Sequence, residues 1–276
     1  MKLSFLFSIF TYFQNIDSLS NIEFIKNHSK DLPYQVEENQ FINREYNNEF
    51  YNTNMSYNLV NYDTNDTFKN VIQPRRALLE KDAFELKGHW HENYFKNDSA
   101  IVLELGCGKG EYTNYLATIN PDKNFIGIDI KGARFWRGAK TALEKKIHNI
   151  AFVRAQIELI NTLFATSEVS EIWITFPDPQ IKFKRGKHRL THPDFLNRYR
   201  EILKPEGSVH LKTDSTFLYG YTLGLMHNPS YRLCYAHHDI YNNPHAPHNA
   251  LAVQTFYEKK FLEQEKPITY LQFQFN

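Results

Sequence analysis

The run Glu104-Leu105-Gly106-Cys107-Gly108-Lys109-Gly110 sets an acid directly before three alternating glycines, a combination with definite ligand chemistry. Glycines let a backbone turn tightly and pass close to a bound molecule, and such a turn at the carboxyl end of a first strand is where doubly wound sheets bind nucleotides. The spacing is Gly-x-Gly-x-Gly, not the Gly-x-Gly-x-x-Gly of dinucleotide enzymes, and Glu104 opposes a pyrophosphate. The same carboxylate suits a cationic sulfonium that carries an amino group, so the expected ligand is S-adenosyl-L-methionine, held at Glu104, Gly106 and Gly108. About twenty residues further on, Asp129 closes Phe125-Ile126-Gly127-Ile128-Asp129, where a carboxylate accepts both ribose hydroxyls of an adenosine. NAD enzymes use the same device, so Asp129 supports an adenosine without choosing between them. Gln156 either meets the adenine edge or makes only local hydrogen bonds at a helix start.

A second constellation begins at Phe176-Pro177-Asp178-Pro179 and runs into Lys182, Lys184, Arg185, Lys187, His188 and Arg189. Proline on both sides of Asp178 restricts the backbone and presents the carboxylate in a fixed direction. The competing reading makes Asp178 a plain turn residue. A charge run is often only a solvated face, but this one follows a candidate catalytic turn in a chain of net charge +1, which favours phosphate contacts to RNA. Arg75 and Arg76 would extend that surface.

With Glu104–Gly110 upstream and Leu211-Lys212-Thr213-Asp214 downstream, the Phe-Pro-Asp-Pro turn and its basic run resemble the bacterial tRNA (guanine-N7)-methyltransferase family known as TrmB, over roughly Thr67 to Phe275. Thr255-Phe256-Tyr257-Glu258 matches that family's Thr-x-x-Glu near the C-terminus. The resemblance implies methylation of a tRNA guanine at position 46 of the variable loop. It implies Asp178 as the catalytic residue, also bordering the cofactor, and Lys182, Asp214, Thr255, Phe256, Tyr257 and Glu258 at the substrate. Lys184, Arg185, Lys187 and Arg189 are implied as RNA contacts. Gln180 stands where most members carry Trp, so a stacking role there is not carried over.

Guanine N7 already presents a lone pair, so attack on a sulfonium methyl needs no base. It needs alignment, and stabilisation of a base that becomes positive. Asp178 can accept hydrogen bonds from the guanine Watson–Crick edge, and Asp214 and Glu258 add carboxylate acceptors. His237, His238, Asp239, His245 and His248 do not read as a metal centre: their loop is rich in Asn and Pro, and methyl transfer from a sulfonium needs no Lewis acid. Two other classes compete. A small-molecule or protein methyltransferase would share the cofactor half but has no use for the basic run, and a noncatalytic RNA-binding protein would not retain Glu104, Gly106, Gly108, Asp129 and Asp178 together.

The elements that must position these residues read as an α/β, Rossmann-like class I methyltransferase fold. Apolar runs at 101–105, 124–128, 150–153, 171–175 and 208–213 read as buried parallel strands. Amphipathic stretches at 111–118, 133–145, 157–164 and 193–203 read as the helices between them, and the alternating Tyr270–Phe275 as a closing antiparallel strand. Residues 71–276 are the expected methyltransferase domain. Residues 1–70 read as a flexible extension, because 15–70 are rich in Asn, Tyr, Glu and Asp without periodicity. Met55 within it offers an alternative start. The apolar run after Lys2 superficially resembles a signal peptide, but it is too short to span a bilayer, and the body of the chain reads as a cytosolic enzyme.

The 276 residues suffice for one sizeable α/β core, and a net charge of +1 confines any polyanion-binding surface to a local patch. Cys107 and Cys234 are too few for a disulfide framework and lack metal-ligand spacing, which fits a cytoplasmic protein without structural zinc. The expected partner is tRNA, with no membrane, and the chain is expected as a monomer or homodimer.

Overall fold

The computed structural model describes residues 67–276. The N-terminal apolar run, the residues up to 66 of the expected extension, and Met55 lie outside the described residues. Residues 67–70 do pack on the domain: Phe68 stacks on Trp136 with centroids 6.4 Å apart, and buried Asn70 donates from Nδ2 to the Ala139 carbonyl at 2.9 Å.

Eight strands form one sheet: β1 (Val71–Ile72), β2 (Ala100–Leu105), β3 (Lys123–Asp129), β4 (Ile150–Arg154), β5 (Val169–Thr175), β6 (Leu203–Thr213), β7 (Tyr231–His237) and β8 (Thr269–Phe275). Their order is β1-β4-β3-β2-β5-β6-β8-β7. All neighbours are parallel except β6–β8 and β7–β8, which are antiparallel. The helices are α1 (Arg76–Glu80), α2 (Glu111–Ile119), α3 (Gly132–Glu144), α4 (Ile160–Leu163), α5 (Pro193–Ile202), α6 (Thr216–Leu225), α7 (His248–Leu251) and α8 (Phe256–Glu263). Successive connections run to one side of β2 and then, from β5, to the other. The switch point of this doubly wound sheet therefore lies between the carboxyl ends of β2 and β5.

The two-residue period of a strand assigns side chains to faces. Ile101, Leu103 and Leu105 of β2, Ile126 and Ile128 of β3, Ile172 and Ile174 of β5, and Val209 and Leu211 of β6 bury into one apolar layer. That layer is closed by α5, whose Phe195, Leu196, Tyr199 and Ile202 recur at helical spacing and whose start is set by His192 as N-cap with Pro193 at the first position. The opposite face carries Val102, Phe125, Trp173 and Tyr270 at its centre. Toward the carboxyl edge it becomes polar, with Glu104, Asp129, Thr175 and Lys212 all buried. This edge is where a ligand-binding sheet must bring its chemistry.

Candidate active site

The turn after β2 holds Gly106, Gly108 and Gly110 at φ of +73°, +54° and +69°, a region that L side chains rarely enter. The glycines serve different ends. A Cβ on Gly106 or Gly108 would meet nothing closer than 3.9 Å, so the space above these two is open to a ligand's close approach. A Cβ on Gly110 would lie 2.6 Å from the Phe152 ring, and one on Gly138 of α3 would lie 2.6 Å from the Lys109 carbonyl. This second pair lets α3 pack against the turn.

Glu104 lies beneath the turn, 4% exposed, with Oε2 accepting from the Thr113 hydroxyl of α2 and Oε1 from the Thr175 hydroxyl of β5 at 2.6 Å. Burial pushes its carboxyl up to about 7, against the two hydroxyls that favour ionisation. A cation arriving nearby would favour the ionised form, so the acid suits an ammonium or sulfonium ligand. Asp129 is 5% exposed and accepts from the Gly108 N–H at 3.1 Å and the Lys131 N–H at 2.8 Å. It thereby pins the glycine turn to the start of α3, while each oxygen retains a second lone pair for a ribose hydroxyl. Between these acids the Cys107 thiol is buried and pushed well up, which leaves it inert. Gln156 Oε1 accepts from Arg76 Nη1 at 2.8 Å, a contact to a residue 80 positions away and not a local bond at the helix start, and it brings Arg76 to this edge of the site.

Across the switch point, Asp178 is exposed on a turn whose flanks are strained: Phe176 and Gln180 sit at φ of +47° and +46°, an unusual pair of non-glycine residues in the left-handed region. Asp178 Oδ1 accepts from the Gln180 N–H at 3.0 Å, so the turn-residue reading describes one of its oxygens. The residue that holds this turn is Arg189. Expected among the RNA contacts, it is instead 9% exposed, donates from Nη2 to the Gln180 carbonyl at 3.2 Å, and lies over the rings of Phe217 and Tyr221 of α6 at 4.8 and 4.5 Å. Its planar guanidinium finds two aromatic faces and a carbonyl inside the protein, which phosphate contact would forfeit. Lys182, Lys184, Arg185 and Lys187 are exposed.

Behind the turn, Lys212 and Glu258 form a fully buried ion pair, Nζ to Oε1 2.6 Å with both side chains 0% exposed. Lys212 also donates to the Val253 carbonyl at 3.0 Å, and Glu258 accepts from the Tyr241 hydroxyl at 2.7 Å. Burial pushes the Lys212 ammonium down, and Glu258 opposes that shift. Thr255 and Glu258 also close a capping box at the start of α8. The carboxylate expected to face substrate is thus fully buried, with both oxygens engaged by protein donors. Phe256 and Tyr257, the two residues between, are exposed, with Lys109 Nζ 4.2 Å from the Phe256 ring, and the Phe256 N–H donates to Glu111 Oε2 at 3.0 Å. The C-terminal motif therefore abuts the glycine turn. Asp214, half-buried after β6, has its carboxyl raised by burial, partly offset by a backbone hydrogen bond and then by Lys266.

The sequence alone assigns no role to Thr113, Thr175 or Tyr241, and none to Lys212 beyond its place in the Leu211–Asp214 motif. Lys212 had a signal, since a lysine alternating with buried residues in Val209-His210-Leu211-Lys212 demands a partner. Among the described residues no cluster of three or more His, Cys, Asp or Glu can hold a metal ion, and no helix is long and apolar enough to cross a membrane.

Residues 98–271 match the family described as "Putative methyltransferase". A tRNA (guanine-N(7)-)-methyltransferase of Christiangramia forsetii is 65% identical over 215 residues, 78% of this chain and 96% of that protein. Another of that name from Porphyromonas gingivalis is 48% identical over 210 residues, 75% of this chain and 85% of that protein. The solved structure of an antibiotic-related methyltransferase, 15% identical, superposes with a TM-score of 0.50 over 76% of this chain and 98% of its own, a likeness of fold alone. Matched over most of its length by such relatives, with the acid and open glycine turn at one side of the switch point and the strained Asp178 turn at the other, this chain belongs to the tRNA (guanine-N7)-methyltransferase family.

Proposed function

We propose that this protein transfers the methyl group of S-adenosyl-L-methionine to N7 of a guanine in tRNA, the guanine at position 46 of the variable loop, in the cytoplasm. The carrying observation is the placement of Asp178, exposed on a strained and buttressed turn across the switch point from the open glycine turn and followed at once by exposed cations. S-adenosyl-L-methionine supplies an electrophilic methyl on sulfonium. Glu104 furnishes the anionic surroundings, Gly106 and Gly108 the close approach, and Asp129 acceptors for the ribose.

No residue is required to take a proton from N7, because its lone pair is already free to attack. Asp178 instead accepts from the guanine Watson–Crick edge, which aligns the base and favours the positive charge that develops on it. Arg189 keeps that carboxylate in place through Gln180. Lys182, Lys184, Arg185 and Lys187 draw the RNA backbone to the site.

The test is incubation of the protein with methyl-labelled S-adenosyl-L-methionine and unmodified tRNA, followed by nucleoside analysis. N7-methylguanosine is the expected product, lost when position 46 is changed to adenine. Label in another nucleoside, or retained in the altered tRNA, contradicts the assignment.

A further inference from the structure

Among the described residues Phe183 is the most exposed large apolar side chain, 97% exposed, and Ile181 at 65% is the next. Both lie in the basic run, alternating with Lys182 and Lys184. Other exposed aromatic rings here have company: Phe256 and Tyr257 meet each other and Lys109. Phe183 has no ring or cation partner among the described residues.

The loop that carries it is nevertheless built. Residues 183–188 form a 3-10 turn, with the Arg185 N–H donating to the Lys182 carbonyl at 2.8 Å and the Arg189 N–H to the Gly186 carbonyl at 3.1 Å. The buried Arg189 guanidinium bonds Gln180 at the loop's start and lies under Gly186 near its end. In a 3-10 turn residues three apart eclipse, so Lys184 and Lys187 line one side together and Phe183 stands on another. From Pro179 to Pro193 the loop has no acidic residue. A rigid loop that holds a bare aromatic ring between cations, five residues past Asp178, matches how proteins seize unpaired nucleotides: cations track the backbone and the ring takes a base face.

We propose that Phe183 is a base-stacking residue that captures an unpaired nucleotide of the RNA substrate beside the methylated guanine. This rests on the tRNA-methylation reading above and adds to it a contact to a base face where the cations contact only backbone.

The test uses the full chain with Phe183 replaced by Ala, Leu or Trp, reading tRNA dissociation constants at several salt concentrations, methyl transfer and S-adenosyl-L-methionine affinity. Phe183→Ala is expected to weaken tRNA binding about tenfold, within the range for loss of one stacked base. The salt dependence should not change, because no charge is lost. Phe183→Trp should restore binding and Phe183→Leu should not, while cofactor affinity stays constant in all three. Full binding by the Leu variant overturns the proposal, since the ring would be dispensable, and so does unchanged binding by the Ala variant. A shift in self-association with tRNA affinity unmoved also overturns it, in favour of a protein contact. Failure of the unsubstituted protein to methylate any tRNA would be distinct: it defeats the functional reading and the stacking role with it.

Discussion

Lys212 Nζ and Glu258 Oε1 stand 2.6 Å apart with neither side chain reaching solvent, and the pair ties the carboxyl end of β6 to the first turn of α8. The attachment matters for the site because α8 begins with Phe256 and Tyr257 beside Lys109 of the glycine turn.

Removing one partner of a buried pair leaves an uncompensated charge, so Lys212→Met is expected to cost about 3–5 kcal/mol of stability. Combined with Glu258→Gln, whose amide oxygen can accept from the Thr255 N–H while its NH2 donates to the Tyr241 hydroxyl, most of that loss should return. Chemical denaturation of the singles and the double gives the coupling. Additive losses would refute it, and a Glu258→Gln protein that unfolds normally but has a raised KM for tRNA would restore Glu258 to the substrate.

Glu104 supplies a pH signature. Its carboxyl lies at about 7 when folded against 4.5 ordinarily, raised by burial. The folded state therefore binds more protons than the unfolded state between these values, and stability falls as pH rises through that window, by about 3 kcal/mol at most. Glu104→Gln keeps partners for Thr113 and Thr175 and should remove the decline. Urea unfolding of both proteins without ligand, from about pH 5 to about pH 8, is the measurement. Parallel pH profiles would show that Glu104 does not titrate there.

Legibility in the sequence followed burial. The five inner parallel strands were readable because continuous apolar runs leave little choice. β1 and β7 were missed because they are edge strands: β1 has two residues, and Tyr231-Arg232-Leu233-Cys234-Tyr235-Ala236-His237 exposes much of its surface. At the site, the glycine turn and the proline-flanked turn of Asp178 were legible as backbone features because their signals are local. Arg189 and Glu258 were not, because a charged residue reads as surface until its distant partners, here Phe217, Tyr221 and Lys212, are brought to it. The Thr255–Glu258 spacing was also a capping box from the outset, a helix-start signature in its own right.

Arg189 should behave as a positioning residue. Arg189→Ala frees the Gln180 carbonyl and the turn beneath Asp178, and displacement of about 1 Å at a reacting group costs on the order of 100-fold in rate. Lysine cannot bond the carbonyl and lie flat on Phe217 and Tyr221 as the guanidinium does, so Arg189→Lys should rescue little. The expected pattern is a low kcat with the salt slope of tRNA binding retained. A flattened slope with kcat intact would make Arg189 a phosphate contact after all.

Asp178 and the exposed cations that follow it should fail in different ways, because one aligns a base and the others attract a backbone. Asp178→Ala is expected to abolish most turnover while tRNA binding stays nearly intact, since the carboxylate acts on the charge developing at the base. Its exposure and single protein hydrogen bond, to Gln180, make global unfolding an unsuitable explanation for such a loss. Lys184, Arg185 and Lys187 changed together to Ala should weaken tRNA binding and flatten its salt dependence, by up to about 0.7 to 0.9 log units per lost phosphate contact. Cofactor affinity should barely move in the triple variant, because these side chains are exposed and none is bonded to the glycine turn. Turnover, tRNA affinity across salt and cofactor affinity measured for both proteins separate the roles. An unchanged salt slope in the triple variant reduces the run to a solvated face, and an Asp178→Ala protein that loses tRNA binding in proportion to turnover makes the carboxylate a binding group and not an aligning one.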